Sequence, residues 1–207
     1  MQAASRLPSD YPADEPLVRA FIGILVPPAA ELLESLRSDA ALATLPVRWL
    51  APEGLHVTLA FLGEVPRRSL AASWPALAAE ADHHRSATLR LAEPEPFPDA
   101  QRPRLVVAPL RGDMATLEQL HAGLTDVLGA SGFAVDERPF RAHVSLGRLR
   151  GPLLRGQAAE LSAALRSQSW DLGGPFVARQ VVLMRSDLFP DGARYTVLAE
   201  AAMAEKR

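Results

Sequence analysis

The chain has 207 residues, 48% hydrophobic and 22% charged, with 22 basic against 24 acidic side chains and a net charge of -2. That is the length of one domain with a sizeable core, and the composition excludes collagen-like, disordered and membrane classes. The absence of cysteine excludes thiol nucleophiles, disulfides and Cys-ligated zinc, the sole lysine (Lys206, in a polar tail) excludes Schiff-base chemistry, and the near-balanced charge disfavours wholesale capture of duplex nucleic acid.

Residues 1–17, with their Pro, Asp and Glu content, read as a disordered leader without the profile of a secretory signal. Residues 18–207 read as a single domain. No apolar run approaches the roughly 20 residues that span a bilayer, so a cytoplasmic protein is expected. Phe21 to Val26 is an apolar run closed by Pro27-Pro28 and predicts a buried strand. Leu32, Leu33 and Leu36 give helical spacing to the segment from Ala29 to Ser38. Arg48 to Gly63 is a second strand region, and Arg67 to Asp82 a second helix rich in Ala and Leu. Short strands follow near 87–91 and 105–108. Asp113 is placed to cap a helix through Leu128, with Leu117, Leu120, Leu124 and Leu128 on one face and Gly129 and Gly132 at its end. A strand from Phe140 to Leu149, a helix near 153–166, and strands 177–184 and 194–198 joined by a hairpin turn at Asp191-Gly192 complete the chain.

Alternating strands and helices invite a parallel, dinucleotide-binding arrangement, but no Gly-x-Gly-x-x-Gly follows any strand. Neither a phosphate-cradling Gly-x-x-x-x-Gly-Lys nor a Gly-x-Ser-x-Gly nucleophile elbow occurs. The informative feature is an internal repeat. Leu55-His56-Val57-Thr58-Leu59 returns as Ala142-His143-Val144-Ser145-Leu146. A lone His-x-Ser/Thr arises readily by chance; two copies with matching Val and Leu, each in a strand, do not. Side chains alternate along a strand, so His56 and Thr58 share one face, and His143 and Ser145 share one face of theirs, while the Val and Leu residues point into a core. Two such strands related by a pseudo-twofold axis would join two imidazoles and two hydroxyls in one cleft. Imidazole titrates near neutrality, so one ring can act as base while the other acts as acid. In-line displacement at phosphorus needs that pair, with the hydroxyls of Thr58 and Ser145 donating to non-bridging oxygens. The scheme needs no metal and no cofactor. The competing reading is two strand histidines that only hydrogen-bond locally.

The duplicated His-x-Thr/Ser strand resembles the two-histidine (2H) phosphoesterase superfamily, and within it the LigT-like RNA 2′,3′-cyclic phosphodiesterase family, also called 2′-5′ RNA ligases. The likeness extends from Arg19 onward. It takes in Arg48-Trp49, Pro52-Glu53-Gly54-Leu55, Phe61-Leu62-Gly63-Glu64-Val65 and Arg102-Pro103-Arg104. It continues through Arg138-Pro139-Phe140-Arg141, Leu183-Met184-Arg185-Ser186 and Gly192-Ala193-Arg194-Tyr195. It implies an α+β fold of two pseudo-symmetric lobes, mainly antiparallel sheets around a central cleft with helices outside. It further implies hydrolysis of RNA 2′,3′-cyclic phosphate ends to 2′-phosphomonoesters, with His56 as general acid and His143 as general base. A pseudo-symmetric site could also run with these roles exchanged.

Ser145 stands where the family more often has Thr, and Ala142 where it often has Pro. Similarity also suggests that Phe61 and Arg148, each five residues after a histidine, flank the base or ribose. Strict alternation puts both on the opposite face unless the strand twists, bulges or ends. That favours a core aromatic for Phe61, whereas an arginine aimed at a core would need a partner. Arg141, two residues before His143, has cleft parity and is a phosphate-binding candidate. Five arginines and no acid occupy residues 138–155, a stretch able to steer an RNA end or to form a solvated face. His83-His84 reads as a helix C-terminal charge complement, and His121 as a surface or satisfied core residue. The expected partners are RNA with 2′,3′-cyclic ends or small nucleotides, met by a monomer that binds no membrane. The same site could instead join RNA ends in a 2′-5′ linkage or cleave 2′-5′ oligonucleotides, or it could serve a non-catalytic RNA-end or nucleotide binding module.

Overall fold

The computed structural model describes residues 17–136, 138–190 and 192–205. The expected leader lies outside these residues, apart from Leu17. In chain order the elements are β1 (Val18–Leu25), α1 (Ala29–Ser38), α2 (Ala40–Ala43), β2 (Val47–Trp49), β3 (His56–Val65), α3 (Arg67–His83), β4 (Ala87–Leu91) and β5 (Glu95–Phe97). There follow β6 (Leu105–Gly112), α4 (Met114–Ala130), β7 (His143–Leu149), α5 (Gln157–Arg166), β8 (Phe176–Ala178), β9 (Gln180–Phe189) and β10 (Gly192–Ala202).

The strands form one ten-stranded sheet in the order β10-β9-β1-β3-β7-β6-β4-β8, with β2 added on β7 and β5 on β6. Every registered strand pair is antiparallel. The β-α alternation therefore does not signify parallel crossovers; each helix returns the chain to a strand running the other way. Helices α3 and α4 pack on each other, α3 against β9 and β10 and α4 against β3 and β4, while α1 packs on β7 and α5 on β5 and α2. This is the expected α+β arrangement, an antiparallel sheet whose two halves meet at β3 and β7. No helix among the described residues is long and apolar enough to cross a membrane.

The apolar run of β1 is continuous because the strand is buried on both faces. Ala20, Ile22 and Ile24 join the main core, and Phe21 joins a smaller cluster with Val182 and Met184 on the other side of the sheet. Leu117, Leu120, Leu124 and Leu128 form the buried stripe of α4, as their spacing predicts. That helix ends in paired C-terminal bonds, Phe133 N–H to the Leu128 carbonyl and Gly132 N–H to the Gly129 carbonyl, with Gly132 at φ 81°.

Several expectations are corrected. The Asp113 side chain makes no cap bond to α4; one carboxylate oxygen instead accepts from Thr88 N–H at 2.9 Å, tying the helix start to β4. The region 48–63 is two strands separated by a turn, with Gly54 at φ 80°. β7 begins at His143 rather than Phe140, and α5 at Gln157 rather than near 153, after Gly156 at φ 92°. The hairpin between β9 and β10 is present, pairing Gly192 with Phe189, although Asp191 is outside the described residues.

β2 pairs beside β7, with Trp49 opposite Gly147. A Cβ on Gly147 would fall 2.7 Å from Val47 Cγ1 and 2.8 Å from Trp49 Cε3. Gly147→Ala is therefore expected to destabilise the fold by about 1–3 kcal/mol, read from urea unfolding midpoints, as overpacking requires. An unshifted midpoint would mean that β2 yields freely.

Candidate active site

β3 and β7 touch through one registered pair, Val57 opposite Val144. Both valines are fully buried. An antiparallel pair has a local twofold axis through such a point, so His56 is set against Ser145 and Thr58 against His143. The four polar side chains occupy the face opposite the core. His56 and His143 stand diagonally across the axis, with α-carbons about 7–8 Å apart in a regular ladder.

Each imidazole is fixed in the same way. His56 Nδ1 lies 2.6 Å from the Gly54 carbonyl and His143 Nδ1 lies 2.6 Å from the Arg141 carbonyl, in both cases two residues upstream. A carbonyl can only accept, so Nδ1 carries the proton and Nε2 is left as the working nitrogen of both rings. Each ring is also stacked on a phenylalanine: His56 on Phe21 with centroids 4.3 Å apart, and His143 on Phe97 at 4.5 Å. Tyr195 meets His56 edge-on at 5.0 Å.

These surroundings set the charge. Burial pulls the His56 pKa below 6.5; the Gly54 carbonyl opposes this, and the charge of His143 lowers it further. His143 is also lowered, first by burial, with the Arg141 carbonyl and Glu95 opposing and the Arg141 charge assisting. Both rings are thus biased toward the neutral form, and mutual repulsion disfavours a doubly protonated pair. Burial raises the Tyr195 hydroxyl, while Arg148 and Arg19 draw it down.

Beside the rings lies a cavity of about 210 Å³ whose walls include His56, Thr58, Phe61, Ser145, Arg148 and Arg19. His143 is not part of that wall, but its charge reaches His56. Phe61 is no core aromatic: it is 43% exposed, with the Arg19 guanidinium 4.6 Å above its ring. The reason is a bulge. Pairing of β1 with β3 skips Leu59, and pairing of β6 with β7 skips Leu146. Each skipped residue is the third after its histidine, so each strand reverses its faces at the same place. The fifth residue, Phe61 in one strand and Arg148 in the other, then faces the cleft. The Leu59 carbonyl accepts from His121 Nδ1–H of α4 at 2.7 Å, and the Leu146 carbonyl from Leu50 N–H at 2.9 Å.

Arg141 does not follow its expected parity, because it precedes the strand and alternation does not extend to it. Its guanidinium lies over Phe97 at 4.5 Å, donates to the Pro98 carbonyl at 3.2 Å and is 3.7 Å from Glu95. It props the stack beneath His143 and is not among the cavity's lining residues. His83 and His84 both reach Glu80, at 3.6 and 2.8 Å. Among the described residues, no cluster of three or more His, Cys, Asp or Glu could hold a metal ion. Sequence reasoning missed Arg19, Phe21, Phe97, His121 and Tyr195 as parts of this site; only tertiary pairing brings them to it.

The family profile described as LigT like Phosphoesterase matches residues 22–107. An RNA 2′,3′-cyclic phosphodiesterase of Thermus thermophilus is 30% identical over 199 residues, covering 90% of this chain and 90% of the relative. The chain belongs to the LigT-like (2H) phosphoesterase family. A second RNA 2′,3′-cyclic phosphodiesterase, from Geobacillus stearothermophilus, is 31% identical over 173 residues and 82% of this chain; the chain spans about half, 53%, of that relative's length. Among solved LigT-like structures, TT0787 of Thermus thermophilus matches with a TM-score of 0.68 at 27% identity, over 91% of this chain and 100% of that one. The E. coli LigT structure complexed with 3′-AMP matches with a TM-score of 0.65 at 25% identity, over 91% and 99%.

Within this LigT-like site, His121 holds the bulge that turns Phe61 outward. His121→Phe keeps an aromatic ring to stack on Phe140, now at 4.3 Å, but removes the donor to the Leu59 carbonyl. A loss of about 1–3 kcal/mol is expected in chemical denaturation, the cost of an unsatisfied buried acceptor. An unchanged midpoint would show that the bulge holds itself.

Proposed function

We propose that this phosphoesterase hydrolyses 2′,3′-cyclic phosphate at RNA ends to a 2′-phosphomonoester, using His56 and His143 as an acid–base pair. The observation that carries the reading is the twofold placement of two His-x-hydroxyl strands, each with Nδ1 bound to a carbonyl and Nε2 free for chemistry. The relatives named RNA 2′,3′-cyclic phosphodiesterase support the substrate class, and the E. coli LigT complex with 3′-AMP supports nucleotide binding in this fold.

In the proposed step, Nε2 of neutral His143 takes a proton from water as its oxygen attacks phosphorus. The bond from phosphorus to the 3′ oxygen breaks, and Nε2–H of protonated His56 donates its proton to that oxygen. The products are a 2′-phosphomonoester and a 3′-hydroxyl, with the enzyme's proton moved from one ring to the other. Repulsion between the rings favours the singly protonated pair on which this step depends. Thr58 and Ser145, each set against the opposite histidine, donate to the non-bridging oxygens as charge builds on them. Arg148 and Arg19 supply positive charge, and Phe61 an aromatic face for the terminal nucleoside. One chain provides both histidines, so a monomer suffices.

The direct test is incubation of the purified protein, in EDTA, with a short RNA ending in a 2′,3′-cyclic phosphate, with products resolved as 2′- or 3′-phosphate. A 2′-phosphate is expected. A joined 2′-5′ product would replace hydrolysis by ligation, and a 3′-phosphate would overturn the bond assignment. His56→Ala and His143→Ala are each expected to lower kcat about 10²–10⁴-fold; activity retained in either would remove that ring from the mechanism. The pH dependence follows from the depressed pKa values. kcat/KM reports the free enzyme: it rises as the base loses its proton and falls as the acid does. Both rings titrate below 6.5, so the maximum of kcat/KM is expected on the acidic side of that value. A bound phosphate anion favours the protonated forms, so the kcat profile is expected at higher pH than that of kcat/KM. Coincident profiles with a maximum above pH 7 would contradict this (from the reference imidazole value of about 6.5).

A further inference from the structure

Arg148 belongs to two walls at once. On one side it lines the catalytic cavity, and on the other it borders an open groove of about 830 Å³. The charged side chains of this groove are Arg102, Arg104, Arg148 and Arg155, with no carboxylate among the described residues of its lining. Among the described residues none of the four guanidiniums forms an ion pair. In a protein of net charge -2, four arginines along one groove are a local concentration of positive potential. Between them Leu154 is 74% exposed, an apolar surface beside planar guanidiniums.

We propose that this groove carries the RNA chain on the 5′ side of the reacting nucleotide. The inference rests on the cyclic-phosphodiesterase reading and adds to it a substrate class: oligonucleotides in preference to cyclic mononucleotides. A cavity of about 210 Å³, walled by Phe61 and Arg19 and by Ser186 and Leu188 of β9, is on the scale of one nucleoside. Every nucleotide upstream of the reacting one must leave it. The way out past Arg148 opens onto a surface whose charge complements a phosphate backbone. Two of the arginines, Arg102 and Arg104, sit on the connection between β5 and β6, and β5 also carries Phe97 beneath His143. The same hairpin thus supports a catalytic ring and one bank of the groove. Arginines that contact phosphates and stack on bases bind single strands with little sequence preference, and the expected specificity is for length rather than sequence.

The test compares hydrolysis of a 2′,3′-cyclic mononucleotide with that of an RNA octamer bearing the same end, in the wild type and in Arg102→Ala/Arg155→Ala. Both replaced side chains are exposed, and neither is in an ion pair among the described residues. The wild type is expected to prefer the octamer. The double variant is expected to lose roughly ten-fold in kcat/KM for the octamer while keeping its mononucleotide rate, with a salt dependence shallower by about 0.7 in log–log slope per arginine removed. Equal rates for both substrates in the wild type, or an octamer rate untouched by the double substitution, would overturn the groove. Octamer binding, followed by fluorescence anisotropy, reads the groove without turnover. Salt-sensitive binding that weakens in the double variant, in a protein that hydrolyses neither substrate, would sustain the groove and sink the catalytic reading. Mononucleotide hydrolysis with unaltered octamer affinity in the variant would do the reverse.

Discussion

The antiparallel contact of Val57 with Val144 governs the geometry of everything above it. Two strands that meet at one buried pair have no choice about where their outward residues stand: the histidine of each faces the hydroxyl of the other. Burial of the valines supplies the force, since a slip of one residue in either strand would carry that strand's histidine into the core and its valine into the cleft. Pairing does not continue past this point between β3 and β7, so the strands part and leave room for the cavity. α4 packs on β3, and its His121 satisfies the Leu59 carbonyl.

Charge in the site follows from the same placement. Both imidazoles lie against phenylalanine faces and are partly removed from water, which favours their neutral forms. Carbonyl bonds at Nδ1 partly offset that cost and fix the tautomer. The arginines that line the cavity stand away from the core behind the histidine strands, so positive potential is concentrated where an anion would lie. Hydrophobic burial orients the rings, and their polar environment then sets how protons are held.

Much of this was legible in the chain itself. The repeated His-x-hydroxyl-Leu segment identified the four central side chains, because a period of two needs only local sequence. The leucine stripe of α4 was equally plain, since its spacing matches a helical face. The positions of Phe61 and Arg148 could not be settled by alternation, because a bulge depends on the register of neighbouring strands and has no local signature at Leu59 or Leu146. Arg141 misled for a related reason: parity has meaning only within a strand, and the strand begins two residues later. Phe97 was invisible because β5 is three residues long with a proline at its centre, too short for any periodicity. Tyr195 lies on a strand that was recognised and Arg19 two residues before another, but their arrival at the same cavity depends on the order β10-β9-β1-β3, which no single segment encodes.

The two bulges are equivalent, yet the residues they turn toward the cleft are not: an aromatic ring in one half, a guanidinium in the other. A homodimer assembled about a twofold axis would be obliged to present the same residue twice. Fusing both halves in one polypeptide removes that obligation, and each side of the site becomes free to hold a different chemical group. Nucleic acid strands are themselves polar, with a 5′ and a 3′ direction. A symmetric clamp would accept such a strand in either orientation; this one, with Phe61 at one end and Arg148 at the other, has the means to tell a strand's terminus from its interior.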